Sequence, residues 1–222
     1  MANFVRQTEP LKAFKEFLSE YMKGIYTAIP AHIVTFDPET QLAQIEIGIK
    51  RVEIDGKDYV LPPIIDCPVF FAGDGFVIET QIDTGCEGLA IFSQRCIDAW
   101  VNQGGTAPNP ITRFFDIQDA FFLPGFRPNP KAVKGFSNNG IKLRNQQGNH
   151  FVWLRNDGSI ELTNGNGHIK LQADGTAIIN GMVFNTNQTI TSVNEATIGG
   201  IAMTQHVHGG VYSGSSNTGT PK

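Results

Sequence analysis

The sequence predicts an all-β protein with one N-terminal helix, and three observations support this class. Apolar and polar residues alternate over short segments, as in QLAQIEIGI at 41–49. The chain has 24 glycines and 12 prolines, which supply frequent turn signals. Beyond about residue 135, short apolar triplets recur between turns rich in Gly and Asn. Only residues 8–26 convincingly show the three-and-four apolar spacing of an amphipathic helix.

The first segment, residues 1–30, is predicted to be a helix that docks on another surface. Thr8 is a suitable N-cap for a helix over 8–26, and Gly24 and the later Pro30 end it. Two partners for its apolar stripe remain open, namely its own domain or another chain. The stripe consists of Leu11, Phe14, Leu18, Tyr21 and Ile25.

Residues 31–135 are predicted to form a small β-barrel or sandwich. About five short strands, each bounded by Gly, Pro or Asp, fit into this length. The polar stretch VNQGGTAPNP at 101–110 is expected to be a long loop. Asp116 and Asp119 lie in the stretch RFFDIQDAFF, where paired acids are expected to be solvated rather than catalytic.

Residues 136–200 are predicted to form an intertwined trimeric β-helix. A strand of three or four residues offers about two side chains to one face, and a narrow isolated sheet is marginal in water. No helix follows that could cover the apolar face, so three identical chains around one axis would bury it. The alternative is a free-standing meander packed on the first domain. The apolar triplets lie at 141–143, 152–154, 160–162, 169–171 and 177–179.

Residues 201–222 are predicted to form an apex with a metal site at His206 and His208. In an extended strand, residues two apart point the same way, so three chains would present six imidazoles to one axis. Such a set suits an octahedral divalent transition metal of the iron or nickel type. With every position filled by protein, the metal would be a structural staple and not a catalyst. The alternative is a flexible tail that happens to contain histidines.

The composition indicates synthesis in a reducing compartment and disfavours binding to nucleic acid. The chain has 17 basic and 21 acidic residues, and no cluster of cations that would bind a phosphate backbone. Cys67, Cys86 and Cys96 form no CxxC motif and are expected to be reduced thiols in a protein made in a reducing compartment. Residues 1–10 lack the pattern of a signal peptide, and no apolar run approaches the ~20 residues that span a bilayer.

Three stretches together resemble a known family, and the resemblance covers nearly the whole chain. They are EGLAIFSQRCIDAW at 87–100, QDAFFLPGF at 118–126 and HVHGG at 206–210, the last followed by a tail of small residues. In this order they resemble the central spike, or membrane-piercing protein, at the baseplate of contractile-tailed bacteriophages. Related tips occur in pyocin-like particles and in type VI secretion.

The resemblance implies an OB-fold for 31–135, a homotrimeric β-helical needle, and one buried iron held by His206 and His208 of each chain. It further implies a place at the baseplate tip of the virion, with hub or tail-tube proteins at the N-terminal end. The implied role is to pierce the host outer membrane when the sheath contracts. Some spikes carry a lysozyme-like domain before the needle, but the stretch 100–140 is too short for one. We therefore expect no enzyme activity.

Two other functions compete with the spike. Metal-dependent hydrolases also use HxH, but they need further ligands, and no His, Asp, Glu or Cys follows His208 in this sequence. The other competitor is a glycan-binding tail tip that adheres to the receptor without piercing. Trp100, Trp153 and Tyr212 are its candidate sugar-stacking residues, and His32, His150 and His168 are expected to be surface or locally bonded.

Overall fold

The structure is a computed structural model that describes residues 8–52, 56–191, 195–204, 206–207 and 214. It confirms the all-β class, since short strands dominate the described residues and the long helix among them, Thr8–Lys23, precedes the strands. The chain divides into two compact units, Met1–Ala132 and Val133–Lys222.

The described part of the first unit contains two α-helices, one 3-10 turn and nine strands. The helices are α1 (Thr8–Lys23) and α2 (Asp98–Gln103), and the 3-10 turn is Asn129–Lys131. The strands are β1 (Ala28–Asp37), β2 (Leu42–Ile47), β3 (Arg51–Val52), β4 (Asp58–Tyr59), β5 (Ile64–Pro68), β6 (Ala72–Gly73), β7 (Val77–Ile78), β8 (Glu87–Phe92) and β9 (Ala120–Pro124).

The described part of the second unit contains strands only. They are β10 (Ile141–Arg144), β11 (Phe151–Leu154), β12 (Ile160–Thr163), β13 (His168–Leu171), β14 (Ala177–Ile179), β15 (Met182–Phe184), β16 (Ile190–Thr191), β17 (Thr197–Ile198) and β18 (Ile201–Ala202). The first five contain the five apolar triplets of the sequence, so the predicted strands are confirmed.

Helix α1 is shorter than predicted. It ends at Lys23 and not at residue 26, because Gly24 closes the last turn with a backbone hydrogen bond to the Tyr21 carbonyl at 3.1 Å. Ile25 follows with a similar bond to Met22 at 3.2 Å. The helix is therefore a separate element that precedes the barrel strands.

The first unit is built on a five-stranded barrel with the strand order β5-β2-β1-β8-β9. All neighbours in this order are antiparallel. A parallel bridge between Val69 and Phe122 joins the segment after β5 to β9, so the sheet curls into a partly open barrel. This strand order is that of an OB-fold, a five-stranded, partly open Greek-key barrel.

The barrel core is small and tightly packed. Phe122, Ile33 and Ile45 are fully buried in it, as the alternating pattern of their strands predicts. Gly88 on β8 makes this packing possible, because a Cβ atom there would lie 2.4 Å from both the Leu123 carbonyl oxygen and the Phe122 ring. The remaining buried apolar members of the core are Ala31, Ala43, Ile47, Ile64, Cys67, Val69, Ala90, Phe92 and Ala120.

The second unit is built on a seven-stranded antiparallel meander, strands β10 to β16 in chain order. We call it the repeat sheet. Its turns use side-chain acceptors as the sequence leads one to expect, since Asp157, Asp174 and Asn187 each accept a hydrogen bond from the backbone amide two residues on. The strands β15 and β16 were not predicted. Met182–Phe184 is itself an apolar triplet between turn residues, so the pattern of the earlier strands continues through β15, whereas β16 has two residues and is too short to show it.

Two expectations for the first unit are wrong. The stretch 101–110 is not entirely a loop, because its first residues belong to α2, which is only six residues long and too short to show periodicity. Asp119 is not solvated but fully buried. Its partners are described below.

Candidate functional site

The repeat sheet exposes a continuous apolar surface, which we call the apolar face. Its nine members occupy alternate positions of β10 to β14 and are 36–68% exposed. The strand register places them opposite one another, for example Leu162 opposite Ile169 and Ile160 opposite Leu171. An apolar patch of this extent marks an interface rather than a solvated surface. The members are Ile141, Leu143, Val152, Leu154, Ile160, Leu162, Ile169, Leu171 and Ile179.

The opposite side of the repeat sheet, which we call the polar face, carries charged and aromatic side chains that contact one another through cation–π interactions and hydrogen bonds. Lys142 Nζ lies 3.7 Å from the Phe151 ring centroid and 4.2 Å from that of Trp153. Arg155 lies over the same indole, with Cζ 3.7 Å from the centroid. These cation–π contacts leave the polar face covered by its own side chains. The apolar face is therefore the side of the sheet that needs a partner.

Glu161 is the centre of the ion pairs on the polar face. It accepts hydrogen bonds from Arg155, with Nε at 3.0 Å from Oε2, and its Oε1 lies 3.1 Å from His168 Nε2. Burial acts to raise the pKa of Glu161, but the hydrogen bonds from Arg155 and His168 outweigh it, so the pKa lies below its usual value. The expectation that His168 is locally bonded is confirmed.

Both tryptophans make contacts within their own unit. The Trp153 ring lies under two cations, and its Nε1 donates a hydrogen bond to the Asn139 carbonyl at 2.7 Å. Trp100 packs edge-on against Phe121 with ring centroids 5.6 Å apart. Both rings thus have packing roles. Tyr212 lies outside the described residues.

The predicted apex begins with a two-stranded hairpin, β17 and β18. Gly199 and Gly200 form its turn with φ of 58° and 83°, the two positive values that a type I′ turn requires. After the hairpin, Thr204 bonds to Glu195 through its backbone amide, at 3.0 Å from Oε1, and also through its hydroxyl. These bonds lower the pKa of Glu195 and tie the chain down just before the histidines.

His206 follows this anchored turn, and its ring is oriented by the backbone. Nδ1 lies 3.0 Å from the carbonyl oxygen of Met203. A carbonyl oxygen only accepts, so Nδ1 carries the proton and Nε2 is the nitrogen with a lone pair in the neutral ring. Metal-binding histidines commonly have this arrangement. His208, the second predicted ligand, lies outside the described residues.

A second group of possible metal ligands lies in the barrel unit, but an arginine already occupies it. Ligand atoms of Cys96, Asp98 and Asp119 lie within 4.8 Å of one another. Nη2 of Arg113 donates to all three, at 3.1 Å to Sγ and at 3.0 and 2.8 Å to the carboxylates. A guanidinium in this position supplies the positive charge that a metal would bring. The group is therefore a structural ion pair.

The pairing of Arg113 with Asp119 joins two parts of the barrel unit. Arg113 Nε donates to the second carboxylate oxygen of Asp119 at 3.1 Å, and the Ile97 backbone amide donates to the first at 3.1 Å. Asp119 thus connects the start of α2 to the loop before β9. Its hydrogen bond with Asp119 raises the pKa of Arg113 further above its usual value.

A surface pocket lies beside α2 in the described part of the first unit, and its lining offers no catalytic set. The pocket has a volume of about 680 Å³ and includes Asp66, Asp98 and Arg113 in its wall. Its lining contains no His, Cys, Ser, Thr or Lys that could act as a nucleophile or base with these acids. The Arg113 guanidinium is committed to the ion pairs described above.

The three cysteines are free thiols, as predicted. Cys67 is buried in the barrel core and donates a hydrogen bond to the Ala120 carbonyl at 3.2 Å. Burial raises its pKa to about 12, so it stays protonated and unreactive. No helix among the described residues is long and apolar enough to cross a membrane.

Comparison with known families gives two matches on separate parts of the chain. The N-terminal domain family of phage protein Gp138 matches residues 29–125, which contain the barrel. The GpV apex motif matches residues 200–222, which contain His206 and His208. No protein with a curated description matches the chain.

The two matched families are both phage spike families, and their order along the chain is the order that the resemblance implies. Both are structural families of the phage tail, and the apex motif is in general a metal-binding tip motif. Spike families of this kind assemble into the tail baseplate. The chain is accordingly a central spike protein of a phage tail, a component of the tail tip of the virion.

Proposed function

We propose that the chain forms a homotrimeric spike that pierces the host outer membrane when the tail sheath contracts. In this proposal residues 136–200 are the needle, residues 201–222 are the tip, and the N-terminal end is seated on hub or tail-tube proteins. The observation that carries the proposal is the uncovered apolar face of the repeat sheet. A sheet that exposes Ile and Leu on one side is incomplete as a single chain.

Three chains complete this sheet without any further element. Each strand offers about two side chains to the apolar face, which suits a narrow prism around a shared axis. About half of each side chain is exposed, so burial contributes about 1–2 kcal/mol per side chain. Interwound chains cannot separate one at a time, so the unfolding barrier under axial load is high.

The tip of the needle is held in this proposal by one iron ion per trimer, with His206 and His208 of each chain as ligands. The orientation of His206 fits this role, because the Met203 carbonyl holds the proton on Nδ1 and leaves the lone pair on Nε2. The bound ion would supply coordination bonds that join three chain ends. The hairpin β17–β18 and the Glu195–Thr204 bonds hold the chain two residues before His206.

The experiment that tests this function separates piercing from adhesion. Particles would be assembled with the parent spike, with a spike that lacks residues 200–222, or with His206→Ala plus His208→Ala. Adsorption to host cells and uptake of a dye that the intact outer membrane excludes would be measured on the same samples.

A piercing spike predicts normal adsorption and reduced dye uptake for both variants. His150→Ala is the matched control, since His150 is an exposed turn histidine outside the apex, and it should behave as the parent. Loss of adsorption in the apex variants would instead identify a receptor-binding tip. Dye uptake equal to that of the parent in both variants would contradict piercing by the apex.

A further inference from the structure

Helix α1 presents an apolar stripe that no described part of the chain covers. All side chains from residue 9 to residue 24 are exposed, and the large apolar ones are 45–67% exposed. Isolated helices of this length are marginal in water and depend on packing for stability. The stripe consists of Leu11, Phe14, Phe17, Leu18, Tyr21 and Met22.

The spacing of the stripe is that of a helical bundle. Leu11, Phe14, Leu18 and Tyr21 follow one another at intervals of three, four and three residues, which places them at alternating a and d positions of a heptad. Phe17 and Met22 fall at the flanking g and e positions and widen the stripe. A stripe of this width suits the core of a multi-helix bundle better than the narrow seam of a two-stranded coiled coil.

The charges of α1 are compatible with copies of the same helix packed side by side. Lys12 pairs with Glu16 at 3.9 Å, and Glu20 pairs with Lys23 at 2.6 Å, all at outer b, c and f positions. Three acidic and three basic side chains balance over residues 8–23, so copies do not repel one another. Lys15 is the one charged residue of α1 at the edge of the stripe. The stripe therefore offers no charged surface that a charged partner protein could recognise.

We propose that three copies of α1 form a parallel three-helix bundle in the assembled spike. This inference rests on the proposed trimer, which brings three copies of the helix together in one assembly. Their effective concentration is then high enough for weakly associating helices to form a bundle. The bundle buries the stripe of each helix against the other two. It also aligns the three chains at their N-terminal ends.

Chain alignment matters because the needle strands are short and repetitive. A one-residue slip in register moves every side chain to the other face of a sheet, and similar neighbouring strands make such slips possible. Helices form from local contacts and fold faster than sheets with long-range pairing. The bundle therefore sets the register of three chains before the strands wind together.

Cross-linking of single introduced cysteines in the full chain tests the bundle. Leu18→Cys places a thiol at an a position in the core, and Ser19→Cys places one at the next residue, on the outer side. The trimeric fraction would be isolated by light scattering, treated with a short bis-maleimide and resolved on a denaturing gel. The parent chain provides the background from Cys67, Cys86 and Cys96.

The bundle predicts several-fold more joined chains for Leu18→Cys than for Ser19→Cys, whose yield should stay near the parent background. Equal yields for the two variants would show that the α1 helices do not pack on one another in the trimer. This result would overturn the bundle but not the trimeric needle. Yields at background for both would overturn it as well. A parent chain that is monomeric would instead refute the proposed spike, and the bundle with it.

Discussion

Leu162 and Ile169 lie directly opposite each other on β12 and β13, and the two side chains are 44% and 45% exposed. Their pairing is typical of the interior of a sheet, whereas their exposure is typical of a surface. Both observations agree if the apolar face is an interface between chains. The polar face behind it is already satisfied by contacts such as the one between Glu161 and Arg155.

The first prediction concerns the centre of the apolar face. Ile169→Asp should prevent trimer assembly, because three carboxylates would meet near one axis without partners. Asn166→Asp introduces the same charge in an exposed turn three residues away and should leave assembly intact. Sedimentation or light scattering of the two purified variants measures the difference. A native trimer from Ile169→Asp would show that the apolar face does not line the axis.

The second prediction concerns the tip. His206→Ala plus His208→Ala should leave a trimer but lower the resistance of the C-terminal residues to heat and protease, because metal coordination contributes directly to folding stability. His150→Ala should have no such effect. The cleavage rate at 200–222 is the measurement. An unchanged rate in the double variant would mean that the two histidines do not stabilise the tip.

The third prediction concerns the buried pair in the barrel. Arg113→Ala leaves Asp119 without its counter-charge, which typically costs about 3–5 kcal/mol. Hydrogen exchange in β8 and β9, followed by mass spectrometry, should therefore speed up. Arg127→Ala removes an exposed arginine that donates a hydrogen bond to the Gly125 carbonyl at 3.2 Å, and it should change exchange little. Similar rates in both variants would contradict a structural role for the pair.

The fourth prediction is a pH dependence centred on Glu161. Its pKa is lowered in the folded state from a usual value of 4.5, so its contribution to stability is complete above that value and is lost as the pH falls through the lowered pKa. Between about pH 5 and about pH 3, the melting temperature of Glu161→Gln should therefore fall less than that of the parent. Glu79→Gln, an exposed residue of the barrel unit, is the control. A parent and Glu161→Gln with parallel profiles would refute this assignment.

The alternation of Ile169 with Lys170 and Leu171 was sufficient to predict both the strand and its apolar face, because side chains in a strand alternate with a period of two. Helix α1 was predictable for the same kind of reason, apart from its last turn. Helix α2 was not, since six residues are too few to show a period. Local periodicity thus predicted the longer elements, but neither the shortest ones nor every boundary.

The contacts that determine the sites were less accessible to sequence reasoning. Arg113 and Asp119 are six residues apart in an irregular segment, and nothing in their spacing indicates that the loop folds back to join them. The Met203 carbonyl that orients His206 depends on a backbone turn, which side-chain types alone do not encode. The arrangement of His206 and His208 around a shared axis remains a prediction, since it involves three chains.

The most direct test of the central claim is native mass spectrometry of the untagged chain after exhaustive dialysis, with its metal content measured on the same sample. The proposed spike predicts a complex of three chains that holds one iron ion. A single chain as the native species would contradict the needle. Three chains without metal, or with one metal per chain, would contradict the six-histidine apex and leave the trimer in place.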